Sequence, residues 1–280
     1  HCISSAASDV YKRQKDSIAL SKEIRKCSLR MVYQAKASHI GGALSMVDLL
    51  SVLYSTVLKY DVSNPSWEER DRFILSKGHA CVSFYSTLAL CGFFSMEELD
   101  DYGKNGSRLL SHTSHYIPGI EISAGSLGHG LPIACGIALA AKRRGQKYRT
   151  YVIVGDGEMD EGSNWEALLL ASHLGLDNLC LIIDYNKIQS LGATNEVLNL
   201  EPFKSKLEAF NWNVIQIDGH NHEAIRRAFI QAEAFWGKPT AIIADTIKGK
   251  GVSFMENELL WHYKSPDEKQ YNQAIKEIEG

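Results

Sequence analysis

The stretch from Thr150 to Gly192, TYVIVGDGEMDEGSNWEALLLASHLGLDNLCLIIDYNKIQSLG, constrains the fold of this chain more than any other. Tyr151–Val154 is a short apolar, β-branched run of the kind that forms a buried parallel strand. Gly155-Asp156-Gly157 breaks it, and glycines there let backbone approach a ligand. A helical pattern follows from Gly162 to Leu174, with Trp165, Leu168, Leu169 and Ala171 expected on its apolar side. Asn178–Asp184 reads as a second buried strand, with Asn186 just past its end. This is a βαβ unit, so Asp156 and Asn186 fall at carboxyl ends of parallel strands, where α/β sheets bind ligands. Taken alone, Gly-Asp-Gly is a common strand-ending turn. A strand on each side and a spacing of 30 residues favour ligand binding. One carboxylate and one amide carbonyl are hard oxygen donors suited to Mg²⁺ or Ca²⁺, with a phosphate-bearing cofactor completing the shell.

The remaining chain continues the same rhythm. Helical periodicity begins near Lys15 and runs to Val32, then breaks at Ser38-His39-Ile40-Gly41-Gly42. Ser45 is placed to cap a helix over Met46–Leu58. Asp71–Leu75 reads as a strand that ends in Ser76-Lys77-Gly78-His79-Ala80 and opens a helix over Cys81–Leu90. A histidine at such a helix start can add a donor to the anion-attracting N–H groups. Ser95 is placed to cap a short helix, and residues 103–122, with His112 and His115, are loop-like. Gly125-Ser126-Leu127-Gly128-His129-Gly130 leads into a small-residue helix over Leu131–Arg143, and its glycines suit passage of backbone against a flat ring or phosphates. Asn213–Ile217 and Thr240–Asp245 read as two more strands flanking a helix over Asn221–Trp236. Lys248-Gly249-Lys250-Gly251 reads as a flexible basic loop before Trp261-His262, and Ser265–Glu279 as a capped amphipathic helix. The expected class is α/β, a mostly parallel sheet with helices on both faces.

Composition narrows the function. A net charge of −3 over 280 residues offers no broad basic field for nucleic acid. Lys142-Arg143-Arg144 ends a helix, where cations complement the dipole. No apolar run is long enough to span a membrane. Six cysteines without CxxC pairing favour a reducing, cytoplasmic setting over a disulfide framework. Residues 1–14 (HCISSAASDVYKRQ) do not resemble the rest of the chain and are expected to be an unstructured or non-native extension, leaving one domain over residues 15–280.

Six ordered blocks carry a family resemblance: SHIGGALSMVDLL (38–50), DRFILSKGHA (71–80), SH followed by PGIEISAGSLGHGL (111–131), GDGEMDEG (155–162), DYNKIQSLG (184–192) and KGKGVSFMEN with WH (248–262). Together they resemble the N-terminal, diphosphate-binding half of transketolase from Lys15 to about Gln273. The resemblance implies thiamine diphosphate and a divalent cation, Mg²⁺ or Ca²⁺. It implies that Asp156, Asn186 and the carbonyl of Ile188 are metal ligands. His79, His262 and the N–H of Gly157 would contact the diphosphate, and Gly125 and Leu127 would line the cofactor rings. His39, His112 and His262 would face the donor sugar, and Glu161 and Glu166 would couple two active sites across a dimer interface. Ser111 and Ser126 depart from common family residues, and His129 stands where the family often has Gln or His and so carries little weight; none of these removes a metal or cofactor ligand.

In the family a second, pyrimidine-binding domain supplies the glutamate that activates the cofactor. This chain ends before any such domain, so the resemblance implies a split enzyme whose partner is a C-terminal, pyrimidine-binding subunit, expected as α₂β₂. The closing helix favours a natural subunit over a fragment. The activity implied is transfer of a two-carbon ketol unit from a ketose phosphate to an aldose phosphate, with a specialised branched or sulfonated sugar as a variant. Two rival readings are the α subunit of a 2-oxo-acid dehydrogenase and a solitary cofactor-binding or regulatory half. SKGHA, SHIGG and Trp261-His262 favour transketolase over the first.

Overall fold

The computed structural model describes residues 17–280; the expected extension over residues 1–14 and the expected helix start at Lys15 lie outside them. Five strands, β1 (Arg72–Leu75), β2 (Thr150–Gly155), β3 (Leu179–Tyr185), β4 (Asn213–Asp218) and β5 (Thr240–Asp245), form one parallel sheet. Their order is β1-β2-β3-β5-β4, every neighbouring pair parallel. The helices in chain order begin with α1 (Ser17–Ala35), α2 (Ile40–Ser45), α3 (Val47–Val52), α4 (Cys81–Cys91) and α5 (Gly130–Arg143). They continue with α6 (Gly162–His173), α7 (Thr194–Val197), α8 (Phe203–Ala209), α9 (His222–Ala234) and α10 (Glu268–Glu279).

The inner strands β2, β3 and β5 are mostly apolar because both faces of the sheet are covered there. Successive side chains alternate in direction, so Tyr151, Ile153, Cys180 and Ile182 enter one core with α1–α4, α9 and α10. Val152, Val154, Leu181 and Ile183 enter the other with α5, α6 and α8. The strands at the centre are fully buried, whereas β4, at the edge, is half-exposed along most of its length.

Several local expectations change in three dimensions. The single helix over Met46–Leu58 is instead α2, which starts at Ile40, a break at Met46, α3, and a π turn over Leu53–Val57. Ser45 ends α2 rather than capping its successor, and its hydroxyl donates to Asp184 Oδ2 at 2.5 Å. The pull of this buried carboxylate outweighs the local cap. Leu169 is 59% exposed, as the core of α6 is built from Ala167, Leu168 and Ala171. Ser95 occupies the start of a 3₁₀ turn over Met96–Asp101 without a side-chain cap bond. The closing helix is capped by Asp267, whose carboxylate exchanges bonds with Gln270 in a capping box, while Ser265 donates to Val32 O at 3.0 Å.

Candidate active site

The carboxyl ends of β1, β2, β3 and β5 converge on one polar cluster. Asp156 follows β2 and is 2% exposed. Its Oδ1 accepts the Gly157 N–H at 2.7 Å, and its Oδ2 accepts the Lys187 N–H at 2.5 Å. No described side-chain cation pairs with it. Burial foremost, helped by the nearby Asp184 carboxylate, pushes Asp156 up to about 6 against these two bonds. Gly157 has no room for a side chain, because a Cβ would lie 2.5 Å from Gln189 Cβ. Asn186, also buried, turns its Oδ1 to the Ile188 N–H at 3.2 Å.

Lys248 lies in the loop after β5, and that loop is no loose basic segment. The Gly249 N–H donates to Gly41 O at 2.9 Å, and Lys248 is 2% exposed. Its Nζ donates to Ile188 O at 2.8 Å and lies 3.3 Å from His262 Nδ1. Burial, then repulsion from Lys77, lowers Lys248 to about 8, although Asp156 and Asp184 pull the other way. A buried carboxylate short of positive charge therefore shares a site with a buried ammonium that has no carboxylate in contact. A divalent cation carrying a diphosphate would satisfy both, and the oxygen atoms of Asp156, Asn186 and the Ile188 carbonyl are of the kind such a cation takes.

Beneath this layer Asp184 is a hub. It accepts from Lys77 Nζ, from Thr246 Oγ1, from Ser45 Oγ and, at 3.3 Å, from Asn186 Nδ2. Burial alone would raise its pKa; the Lys77 ammonium and the two hydroxyls outweigh burial and hold it below the usual carboxylate range. Glu158, 2% exposed, is the corresponding hub of the glycine-rich loop, its carboxyl raised by burial. It accepts from Ser76 Oγ, the Gly128 N–H at 2.9 Å and the Gly155 N–H at 3.2 Å. Sequence reasoning missed Lys77, Glu158, Asp184 and Lys248. The signals were present: an acid inside an apolar strand must be paired, and a lysine just beyond a strand's carboxyl end faces the ligand edge.

Four histidines lie above. The rings of His39, His79 and His262 form a triangle with centroid separations of 5.1, 5.0 and 5.6 Å, and His112 lies 6.4 Å from His39. His39 adopts φ 71°, an unusual left-handed conformation for a histidine. It is held there by its N–H bond to His262 O at 2.9 Å, while Ser38 Oγ lies 2.9 Å from its Nδ1. Burial first, then neighbouring positive charge, lowers His39, drives His79 well down and lowers His262 to about 3. These three rings are thus neutral at neutral pH. Because Lys248 can only donate, His262 Nδ1 accepts, and the His262 proton sits on Nε2.

Gly125 is exposed and Leu127 half-buried on the open side of the site; a Cβ on Gly125 would meet only His112 Cδ2, at 3.9 Å. Glu161 and Glu166 are not brought into the cluster. Both are exposed at the start of α6, and no described hydrogen bond or ion pair joins their side chains to the histidines.

The family model for "Transketolase, thiamine diphosphate binding domain" matches residues 16–277. An apulose-4-phosphate transketolase subunit of Phocaeicola vulgatus is 43% identical over 258 residues, 92% of each chain. The 6-deoxy-6-sulfo-D-fructose transketolase subunit SqwG of Clostridium sp. is 43% identical over 257 residues, 91% of this chain and 94% of that one. The crystal structure of transketolase from Campylobacter jejuni superposes with a TM-score of 0.90 at 34% identity. The match covers 94% of this chain but 42% of that one, so the chain spans about two fifths of the solved transketolases it resembles. With sequence, fold and site in agreement, the chain belongs to the transketolase family and is its N-terminal, thiamine-diphosphate-binding domain.

Proposed function

We propose that this chain, together with a pyrimidine-binding partner subunit, transfers a two-carbon ketol unit from a ketose to an aldose. The observation that carries the reading is the cluster of neutral histidines directly beside the Asp156–Asn186–Lys248 layer. Thiamine diphosphate, when bound, supplies the carbon nucleophile and electron sink for breaking and forming a carbon–carbon bond. Asp156, Asn186 and Ile188 O would hold Mg²⁺ or Ca²⁺. Lys248, His79, His262 and the Gly157 N–H would hold the diphosphate, with Gly125 and Leu127 against the rings. His39 and His112, with the Nε2–H of His262, would hydrogen-bond the sugar's oxygens and pass protons as charge moves. Neutral imidazoles suit this, as each offers one donor and one acceptor.

Exposed apolar side chains support a partner. Leu110 and Tyr116 flank His112, Leu191 follows Ile188, and Leu260 and Tyr263 flank His262, each more than half exposed. An apolar rim around a half-built site suits a covering subunit. An α₂β₂ assembly is our reading of the stoichiometry, with Glu161 and Glu166 free on the surface to meet a second copy. The names of the relatives favour a specialised sugar, branched or sulfonated, over a common ketose phosphate.

The test is ketol transfer to an aldose phosphate, from donors of the ordinary, branched and sulfonated types. The chain alone, with saturating thiamine diphosphate and Mg²⁺, is expected to be inactive, and the cognate partner to restore activity. Robust turnover by the isolated chain would overturn the split-site reading. Oxidative decarboxylation of a 2-oxo acid by the pair, without ketol transfer, would overturn the reaction class.

A further inference from the structure

The loop that presents Lys248 is held from behind by side chains outside the cofactor site. His220 stands just past the end of β4, the one strand whose loop does not join the polar cluster. Its Nε2 accepts the Ile247 N–H at 2.8 Å, and its Nδ1 lies 2.8 Å from Asp48 Oδ2. Since Nε2 accepts, the proton sits on Nδ1 and is donated to Asp48. Arg25, on α1, grips the same carboxylate with two parallel bonds of 2.9 and 2.7 Å and donates Nε to Lys250 O at 3.2 Å. His222 Nε2 adds a contact to Asp48 Oδ1 at 3.1 Å, and its Nδ1 pairs with Ser17 Oγ at 2.9 Å.

The loop is thus tied to Asp48, which is 4% exposed on α3, at the residue before Lys248 and at Lys250 beyond it, while the peptide that follows Lys248 is held by Gly41 O and the Asn257 N–H. One tie runs through His220 to Ile247, the other through Arg25 to Lys250. The loop needs such ties, because Gly249 and Gly251 sit at φ 80° and 94°, where the backbone has little intrinsic preference of its own. The Ile247 N–H is the last backbone donor before Lys248, so its partner sets the N-terminal side of the point from which that side chain departs, and the bonds of the Lys248–Gly249 peptide to Asn257 and Gly41 set the other.

We propose that His220, oriented by Asp48, is a positioning residue for Lys248, setting the backbone from which the ammonium reaches the diphosphate of thiamine diphosphate. This rests on the reading of Lys248 as a diphosphate contact. The imidazole acts through its two nitrogens separately. Nδ1 anchors it to Asp48, and Nε2 holds the loop. Glutamine reproduces the acceptor at the Nε2 position, whereas asparagine reproduces only the donor at Nδ1. A role in positioning and a role as mere packing against Asp48 therefore rank the two substitutions oppositely.

Thiamine diphosphate affinity, measured by calorimetric titration of the full chain with Mg²⁺, is the readout, with urea midpoints recorded alongside. His220→Gln is expected to bind within about 3-fold of the parent and His220→Asn to weaken binding about 10-fold, as outer-shell changes do. In a Lys248→Met background, which keeps the stem and removes the charge, His220→Asn should weaken binding no further. Asparagine binding as well as glutamine, or its full effect persisting in that background, would overturn the proposal. Lys248→Met binding like the parent would instead remove the diphosphate contact itself, and the proposal with it. One measurement needs no substitution: the His220 ring nitrogens, read by NMR, should keep the proton on Nδ1 with cofactor bound. A proton on Nε2 would break the Ile247 bond and overturn the proposal.

Discussion

His39 shows how much of the chemistry depends on single backbone and proton positions. Its φ of 71° costs about 1–3 kcal/mol for a residue with a Cβ, and the His262 carbonyl accepts its N–H. Alanine there would confuse strain with lost chemistry, whereas asparagine tolerates the left-handed region. His39→Asn is expected to leave thiamine diphosphate affinity unchanged and to lower kcat by about 100-fold. His79→Gln should instead weaken cofactor binding; equal defects in the two variants would refute this division of labour. Asp156→Ala removes the one charged oxygen ligand, and should weaken thiamine diphosphate binding at least about 10-fold while abolishing its dependence on added Mg²⁺. Titration with and without Mg²⁺ checks this, and unchanged affinity would remove Asp156 from the metal site. His39, His79 and His112 were legible because each stands beside a glycine or serine, whereas His262, between Trp261 and Tyr263, was reached only through the family resemblance. Lys248 was misread as part of a mobile loop, since a lysine's burial is decided by the residues that close over it.

At the scale of elements, the glycine-rich loop and α6 depend on each other. Gly128 sits at φ 82°, and a Cβ there would lie 2.6 Å from both Glu161 Cβ and Ser163 Oγ. Ser163 Oγ in turn donates to Gly128 O at 2.7 Å, and Glu158 holds the Gly128 N–H. Gly128→Ala is expected to cost about 1–3 kcal/mol of stability, because alanine is strained at positive φ and the neighbours are backbone-near atoms. The measurement is a urea melt together with a cofactor titration. Stability should fall and affinity with it, as the same loop carries Gly125 and Leu127. A parent-like melt would mean the loop yields freely. The βαβ unit was legible from its apolar runs and glycines, whereas the break between α2 and α3 was not. Residues 40–52 are buried without exception, and their polar residues Ser45, Asp48 and Ser51 face inward, so no solvent-facing side marks where one helix ends and the next begins.

For the whole molecule, three histidines with lowered pKa values make a prediction about acid. Unfolded, each takes a proton near 6.5; folded, His262 does so only near 3, and His39 and His79 are lowered as well. The unfolded chain therefore binds more protons as pH falls through 6.5, and folding is destabilised there. Asp156, raised to about 6, and Glu158 and Asp71, whose carboxyls burial also raises, act in the opposite sense, chiefly at the acid end of that range. The Tm of cofactor-free protein should thus fall between about pH 7.5 and about pH 5.5, with a shallower slope in His79→Gln. A flat or rising Tm across that window would contradict the buried, neutral cluster.

Periodicity and turn chemistry act between near neighbours, so the chain's sequence by itself determined the parallel α/β class and the ligand-bearing carboxyl edge of the sheet. It also determined the family, through six ordered blocks. Tertiary structure alone decided which polar residues are paired. Lys77 and Asp184 meet across 107 residues, and His220 and Asp48 across 172. No local pattern encodes such pairings. They arise because the β1-β2-β3-β5-β4 sheet and the helices packed on it bring residues distant in sequence together, where a buried charge is stable only against the partner that the fold delivers.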